Sequence, residues 1–388
     1  MRVALFTKTF LPETNGVVTR LRHTVEELVR AGDEVLVFAP SGGPKSYAGA
    51  RIHGVAGVPF PPYPQIHLCP PHPRVARTLG WFDPDLIHAV NPVVLGTGGI
   101  FYARRLKVPL ITSYHTNVAA YTHFYGLGFF EGATRWWTRT LHNRAALTLC
   151  TSGTTRNYLL REGITRVRLW PRGVDARRFR PDRASKEWRN RLSGGRPEEK
   201  ILLYVGRLAR EKSIGQLKAV LRGIPGTRLA IVGDGPARKA LEREFRGMPT
   251  IFTGFLGGDD LANAYASADL FVFPSTTETL GIAMIEALSS GLPVVAARSG
   301  GAHEVVLKGE NGLLYEPGSD GELVATIRRT LGDGALCAAL GGRARASAEK
   351  LGWEASTAAL RGYYEEILNF CQQRRSRSLS FRSLPENQ

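Results

Sequence analysis

Short apolar runs recur along the chain at the spacing expected of a parallel sheet. In the first half they cover residues 2–7, 34–40, 85–90, 109–114, 147–152 and 167–170. Each is bounded by Gly, Pro, Asp or a basic residue, which is the pattern of a strand buried on both faces. Helical patterning fills the gaps, notably at 17–31, 94–106, 131–145 and 153–162. Residues 173–200 are rich in Arg and Asp and poor in apolar residues, and they predict a linker. The alternation then restarts, with strands at 201–206, 228–233, 250–254, 270–274 and 293–297 and helices between them. Residues 335–371 read as helices that close the chain.

Alternation of this kind gives parallel sheets covered on both faces. The predicted fold is therefore α/β, with two Rossmann-like domains facing across a cleft at the carboxyl ends of their strands. The predicted boundaries are 1–172 for the first domain, 173–200 for the linker, 201–352 for the second domain and 353–371 for a closing helix. The polar, basic stretch 372–388 is expected to be a disordered tail.

Composition narrows the class. A chain of 388 residues holds two cores of ordinary size. No apolar run approaches the roughly 18 residues that cross a bilayer. Lys8 and Pro12 interrupt the N-terminal run too early for a signal peptide, so it makes a better first strand. Cys69, Cys150, Cys337 and Cys371 are far apart without metal-ligand spacing, which predicts reduced thiols in a cytosolic protein. The formal net charge is +17, and residues 1–175 carry 20 Lys and Arg against 10 Asp and Glu. Such an excess implies an anionic partner: nucleic acid, an anionic membrane or a phosphorylated ligand. No aromatic–basic RNA motif or helix-turn-helix pattern is present, so nucleic acid is not expected.

The candidate chemistry lies where strands end. Glu278 and Glu286 bracket Glu-Thr-Leu-Gly-Ile-Ala-Met-Ile-Glu, across the junction between the strand 270–274 and an apolar helix opened by Gly281. A helix start presents free N–H groups and partial positive charge to an anion. Carboxylates beside it suit ligand hydroxyls, and together they suggest a sugar nucleotide. A solvated Glu and an interfacial salt bridge fit the spacing equally well. Arg207 and Lys212 leave the strand 201–206 of the same sheet, where two cations can grip a diphosphate. Gly233-Asp234-Gly235-Pro236 is a tight turn after the next strand. Thr253-Gly254-Phe255-Leu256 follows another, and its backbone could read a base edge or simply end a strand on a core Phe.

In the first half, Gly16 lies in Thr-Asn-Gly-Val-Val between the first strand and helix, and allows close approach of a phosphate or sugar. His115, in Ser-Tyr-His-Thr-Asn, ends a strand at the same cleft; a packed histidine is the plain alternative. Asp83-Pro84-Asp85 reads as turn and strand-entry chemistry, and no catalytic metal is expected. Residues 124–144 interleave Phe124, Tyr125, Phe129, Phe130, Trp136 and Trp137 with Arg135, Arg139 and Arg144, which suits an anionic bilayer surface. An ordinary helix with inward Trp residues is the alternative.

The Gly-Arg-Leu…Glu-Lys segment, the Gly-Asp-Gly-Pro turn and the two glutamates separated by seven residues resemble retaining glycosyltransferases of family 4, which have the GT-B fold. The likeness runs from Met1 to about Ile367. It implies that Arg207 and Lys212 hold the donor diphosphate and that Glu278 binds sugar hydroxyls. By the same likeness, Thr279, Leu280 and Gly281 present N–H groups, Glu286 binds the ribose and His115 lies near the reacting sugar. Arg172 would be a further anion contact.

Longer stretches, among them Arg-Val-Ala-Leu-Phe-Thr-Lys-Thr-Phe-Leu-Pro and Leu-Thr-Leu-Cys-Thr-Ser, are similar to bacterial sulfolipid synthases. That likeness implies transfer of sulfoquinovose from UDP-sulfoquinovose to diacylglycerol, or a GDP-mannose-dependent transfer to a glycolipid as the alternative. It also implies no cofactor beyond the nucleotide-sugar substrate, and a place on the cytoplasmic face of the membrane. Two positions depart from the family pattern: Lys8 stands where an acidic residue is usual, and Asn117 where a histidine is.

Overall fold

In a computed structural model of the protein, residues 1–60, 63–68, 72–92, 95–117, 129 and 131–382 are described. The first sheet contains β1 (Arg2–Thr7), β2 (Glu34–Pro40), β3 (Ser46–Tyr47), β4 (Ala50–Val55), β7 (Leu86–Val90), β8 (Leu110–Tyr114), β9 (Leu147–Cys150) and β10 (Val167–Leu169). A separate hairpin pairs β5 (Val58–Phe60) with β6 (Tyr63–Leu68). The order across the first sheet is β10-β9-β8-β7-β1-β2-β4-β3, parallel except for the last pair. The strands β1, β7, β8 and β9 are almost wholly buried because helices cover both faces, which is why they read as unbroken apolar runs.

The second sheet contains β11 (Lys200–Val205), β12 (Thr227–Val232), β13 (Thr250–Gly254), β14 (Leu270–Phe273), β15 (Val294–Ala297) and β16 (Gly312–Tyr315), all parallel, in the order β13-β12-β11-β14-β15-β16. Chain order reverses between β1 and β7 in the first sheet and between β11 and β14 in the second. Ligand crevices form outside the strand ends at such switch points. Lys8 follows β1, Arg207 and Lys212 follow β11, and Glu278 follows β14.

The structure revises three sequence expectations. Residues 173–200 are not a bare linker. Phe179, Trp188 and Leu192 join the core of the second domain, and Ser185 caps the helix Lys186–Ser193 by accepting from Trp188 N–H. Three spaced apolar residues suffice to dock a short helix, although the composition is polar. The crossing between domains is narrow: Val174 N–H donates to Leu351 O at 2.7 Å, and a Cβ on Gly173 would stand 2.3 Å from the Trp353 ring.

The closing helix is also longer than predicted. It runs Trp353–Arg382 instead of ending near 371. No Gly or Pro interrupts the stretch 372–382, so residues expected in a disordered tail continue the helix. This helix returns to the first domain, where Leu360 and Tyr364 pack with Leu21, Val25 and Leu28. Third, the second set of strands does not end at 293–297: β16 (Gly312–Tyr315) adds an edge strand, and the helix Asp320–Gly332 follows before the stretch 335–371. Among the described residues, no helix is long and apolar enough to cross a membrane.

Candidate functional site

Strand β14 ends at Phe273, and a loop carries the chain to the helix Ile282–Ser289. Gly281 precedes that helix at φ +74°, so it offers no capping side chain. The free N–H groups take the nearest anion. Glu278 Oε1 accepts from Thr279 N–H at 3.2 Å, Leu280 N–H at 3.2 Å and Gly281 N–H at 3.0 Å. Glu278 Oε2 accepts from Lys212 Nζ at 3.2 Å. Burial opposes the charge on Glu278, but Lys212 and the N–H groups outweigh it and hold the carboxyl below its ordinary value. The N–H groups that the sequence reading assigns to a donor thus bind the protein's own carboxylate in this structure. A diphosphate at this helix start would compete with Glu278 for them.

A turn after β15 holds this loop. Gly301 N–H donates to Glu278 O at 2.9 Å, and Ser299 Oγ donates to Thr276 O at 2.8 Å. A Cβ on Gly300, whose φ is +55°, would lie 2.3 Å from Glu278 O. Only glycine permits that approach.

The cations sit on the neighbouring strand end. Lys212 closes a 3-10 turn, Arg210–Lys212, and its ammonium lies 5.8 Å from the Phe273 ring centroid. Arg207 is exposed at the cleft. The Gly-Asp-Gly turn packs on the loop that carries Arg207. A Cβ on Gly233 would stand 2.0 Å from Gly206 O, and one on Gly235 would stand 2.4 Å from Leu208 O. These glycines let the turn press on the Arg207 loop, with Leu208 N–H donating to Asp234 O at 3.0 Å. The Asp234 carboxylate accepts from Gly235 N–H and pairs with Arg238 at 3.0 Å, away from Glu278.

The first domain meets this site directly. Thr279 Oγ1 donates to His115 O at 2.7 Å, and Thr151 Oγ1 donates to Thr279 O at 2.9 Å. His115 is buried, its Nε2 lies 2.9 Å from Ser113 Oγ, and its Nδ1 has no partner among the described residues. Burial above all, with Arg20 next, pushes its pKa well down, so the ring is neutral at pH 7. Arg172 pairs with Glu304 at 3.5 Å and lies against Gly301, which would place a Cβ 3.2 Å from Arg172 Nη2. Gly16 touches the donor-side helix, since a Cβ there would meet Ile282 Cδ1 at 3.6 Å.

Other predicted residues sit farther out. Glu286 is buried against Tyr265, whose hydroxyl donates to it at 3.1 Å, and burial pushes its pKa up to about 8. Phe255 is 58 % exposed beyond β13, whereas Leu256 belongs to the core. On the helix Glu131–His142, Trp136 is 56 % and Trp137 42 % exposed, and Phe129 just before it is 77 % exposed. Inward packing of these Trp residues is thereby ruled out. Arg135 pairs with Glu131 and with Glu162, and Arg139 is exposed. Phe124, Tyr125, Phe130 and Cys69 lie outside the described residues. Asp83 and Asp85 pair with Arg2 at 3.0 and 3.6 Å, as turn and strand-entry residues do.

Sequence reasoning did not single out Glu304, His88, Ser113, Arg20 or Gly300. Glu304 accepts from Gly153 N–H at 2.8 Å and Thr154 N–H at 2.6 Å, so a donor-side carboxylate caps a first-domain helix. Arg20 is fully buried, donates to the carbonyls of Trp170 and Pro171, and stacks over Trp170 at 4.0 Å. The Ser-Gly-Gly after β15 was the one local signal among these, since it follows a strand of the same sheet as Glu278.

Two facing Rossmann-like domains, with a carboxylate, two cations and a helix start at the shared cleft, define a GT-B glycosyltransferase. A family model described as Glycosyltransferase Family 4 matches residues 14–178, and one described as Glycosyl transferases group 1 matches residues 186–347. The sulfoquinovosyl transferase SQD2 of Arabidopsis thaliana is 40% identical over 369 residues, covering 93% of this chain and 72% of that protein. A GDP-mannose-dependent alpha-mannosyltransferase of Mycolicibacterium smegmatis is 38% identical over 384 residues, covering 95% and 98%. The solved sucrose-phosphate synthase of Thermosynechococcus elongatus superposes with a TM-score of 0.80 at 24% identity, covering 95% and 99%. The chain belongs to glycosyltransferase family 4 and is a nucleotide-sugar-dependent transferase.

Proposed function

We propose that this transferase moves sulfoquinovose from UDP-sulfoquinovose to diacylglycerol, with retention at the anomeric carbon, at the anionic cytoplasmic face of a membrane. The observation that carries the donor reading is Lys8. It stands at the switch point after β1, with Glu13 and Arg207 as its charged neighbours. Burial lowers its pKa, Glu13 opposes that and Arg207 adds to it. Its ammonium makes no hydrogen bond or ion pair among the described residues. A desolvated cation beside a second cation is stabilised by an anion. A sulfonated sugar carries one there, and a neutral hexose does not. The likeness to the Arabidopsis protein supports the same donor.

The donor diphosphate lies against Arg207, Lys212 and the helix start at Gly281, with Gly16 closing over it. Glu278 turns to the sugar hydroxyls, Glu286 to the ribose, and the backbone around Phe255 and Leu256 to the base. The acceptor hydroxyl attacks the face that the diphosphate leaves, on an oxocarbenium-like sugar. The departing phosphate takes the acceptor proton, so no side-chain base is needed. The two cations stabilise the charge that develops on it. Phe129, Trp136 and Trp137 enter the headgroup layer, and Arg135 and Arg139 meet its phosphates.

A GDP-mannose-dependent transfer to a glycolipid is the second reading, favoured by the near full-length likeness to the mycobacterial enzyme. Incubating the purified protein with diacylglycerol vesicles and, in turn, UDP-sulfoquinovose, UDP-glucose and GDP-mannose tests both. A lipid product only from UDP-sulfoquinovose is expected. A mannosylated product with none from UDP-sulfoquinovose overturns the donor reading.

A further inference from the structure

A continuous buried chain of hydrogen bonds joins the closing helix to the site. Tyr364 Oη lies 2.7 Å from His88 Nδ1, His88 Nε2 lies 2.9 Å from Ser113 Oγ, and Ser113 Oγ lies 2.9 Å from His115 Nε2. His88, Ser113 and Tyr364 are fully buried and His115 is 4 % exposed. His88 and Ser113 come from the adjacent parallel strands β7 and β8, and Tyr364 reaches them from a helix that belongs to neither Rossmann-like unit. Buried hydrogen-bond networks of this kind fix side-chain orientation more firmly than isolated pairs.

Counting protons orients the chain. Both imidazoles are neutral at pH 7, since burial, with Arg20 next, pushes His88 down to about 3 and His115 well down. Two hydroxyls and two neutral imidazoles bring four protons to three links. One proton is therefore left outside the links, on Tyr364, on Ser113 or on His115 Nδ1. On Tyr364 or Ser113, both fully buried, the spare hydroxyl proton would have no acceptor among the described residues, which is unfavourable. The remaining place is His115 Nδ1, which has no partner among the described residues, on a residue whose carbonyl accepts from Thr279 Oγ1.

We infer that Tyr364, His88 and Ser113 act as positioning residues that fix His115 in its Nδ1–H tautomer, as a hydrogen-bond donor to an oxygen of the donor sugar. Tyr364 donates to His88 Nδ1, His88 Nε2–H donates to Ser113, and Ser113 donates to His115 Nε2. Nδ1–H is then the one donor left, on a buried nitrogen with no partner among the described residues. The role at the sugar rests on the glycosyl-transfer reading above, whereas the tautomer rests only on the chain itself. A second imidazole that sets which nitrogen of a functional histidine carries the proton is a recurrent device.

The test separates the two. Protein labelled with 15N-histidine, studied by multiple-bond proton–nitrogen correlation without substrate, reads the tautomer directly. The expected result is His115 protonated at Nδ1 in the wild type and a mixture of tautomers in Tyr364→Phe, with a lowered thermal midpoint, since His88 Nδ1 loses its partner, but an intact fold by circular dichroism. Kinetics with the donor that the wild type uses should then show kcat lowered about tenfold in Tyr364→Phe, at unchanged KM. Wild-type His115 protonated at Nε2 overturns the inference. So does a Tyr364→Phe variant with an unaltered tautomer, or one with an altered tautomer and wild-type kcat. Failure to use UDP-sulfoquinovose, with the Nδ1–H tautomer present, removes the donor reading and leaves the relay standing.

Discussion

The two domains hold their chemistry by different means. The second domain fixes its site through the backbone: three consecutive N–H groups bind Glu278, and glycines at 233, 235 and 300 allow loops to approach within distances that no Cβ tolerates. The first domain uses side chains: a buried hydroxyl–imidazole chain behind His115, a Lys8 with no hydrogen bond or ion pair among the described residues, and an exposed pair of Trp residues. A backbone-built site is rigid and suited to a diphosphate and ribose, parts common to every nucleotide sugar. A side-chain-built site changes with single substitutions and suits the sugar substituent and the acceptor, which differ between relatives. On the proposed function, the second domain, with Arg207, Lys212 and Glu286 added to its backbone groups, would set the donor class, and the first would set the sugar and acceptor.

The hardest blow to this contrast is Gly300→Ala. It sets a methyl against the Glu278 carbonyl at a backbone angle that suits glycine, and backbone cannot yield as a side-chain tip can. Loss of about 2–3 kcal/mol in unfolding free energy and of most UDP affinity is expected, measured by denaturant unfolding and calorimetry. A silent substitution would break the claim that close backbone contact builds the donor side.

A pH series sharpens it next. Burial raises the Glu286 carboxyl from its ordinary 4.5 to about 8. Its contribution to stability is fully present below about 4.5 and is lost as pH rises through about 8. The wild type should lose thermal stability across that window relative to Glu286→Gln. Parallel curves for the two proteins would contradict the assigned burial.

The smallest expected effect lies on the first domain. Trp136→Ala with Trp137→Ala should weaken co-sedimentation with anionic vesicles severalfold and leave UDP binding and the thermal midpoint unchanged, because both side chains face solvent. Equal vesicle binding would detach these residues from the membrane.

The parallel strands and the Glu278 loop were legible because each rests on local chemistry: an unbroken apolar run, a glycine before a helix, a carboxylate beside it. The docked helix at 186–193 was hidden because its apolar face consists of only Trp188 and Leu192, one turn apart, in a stretch otherwise dominated by charge. The Gly-Asp-Gly turn was recognised, but its partner, the 206–208 loop, depends on strand order. Glu304 and the Tyr364–His88–Ser113 chain were invisible for the same reason: their partners lie far away in sequence, and only the packed domains bring them together.

The most direct test of the account is the turnover of Arg207→Ala and Lys212→Ala, each measured with the donor that the wild type uses. If these side chains stabilise the departing diphosphate, each substitution lowers kcat at least about a hundredfold, as losing a transition-state donor does, and leaves the fold intact by circular dichroism. Turnover near the wild-type rate in both variants would contradict the assignment of this cleft as the glycosyl donor site.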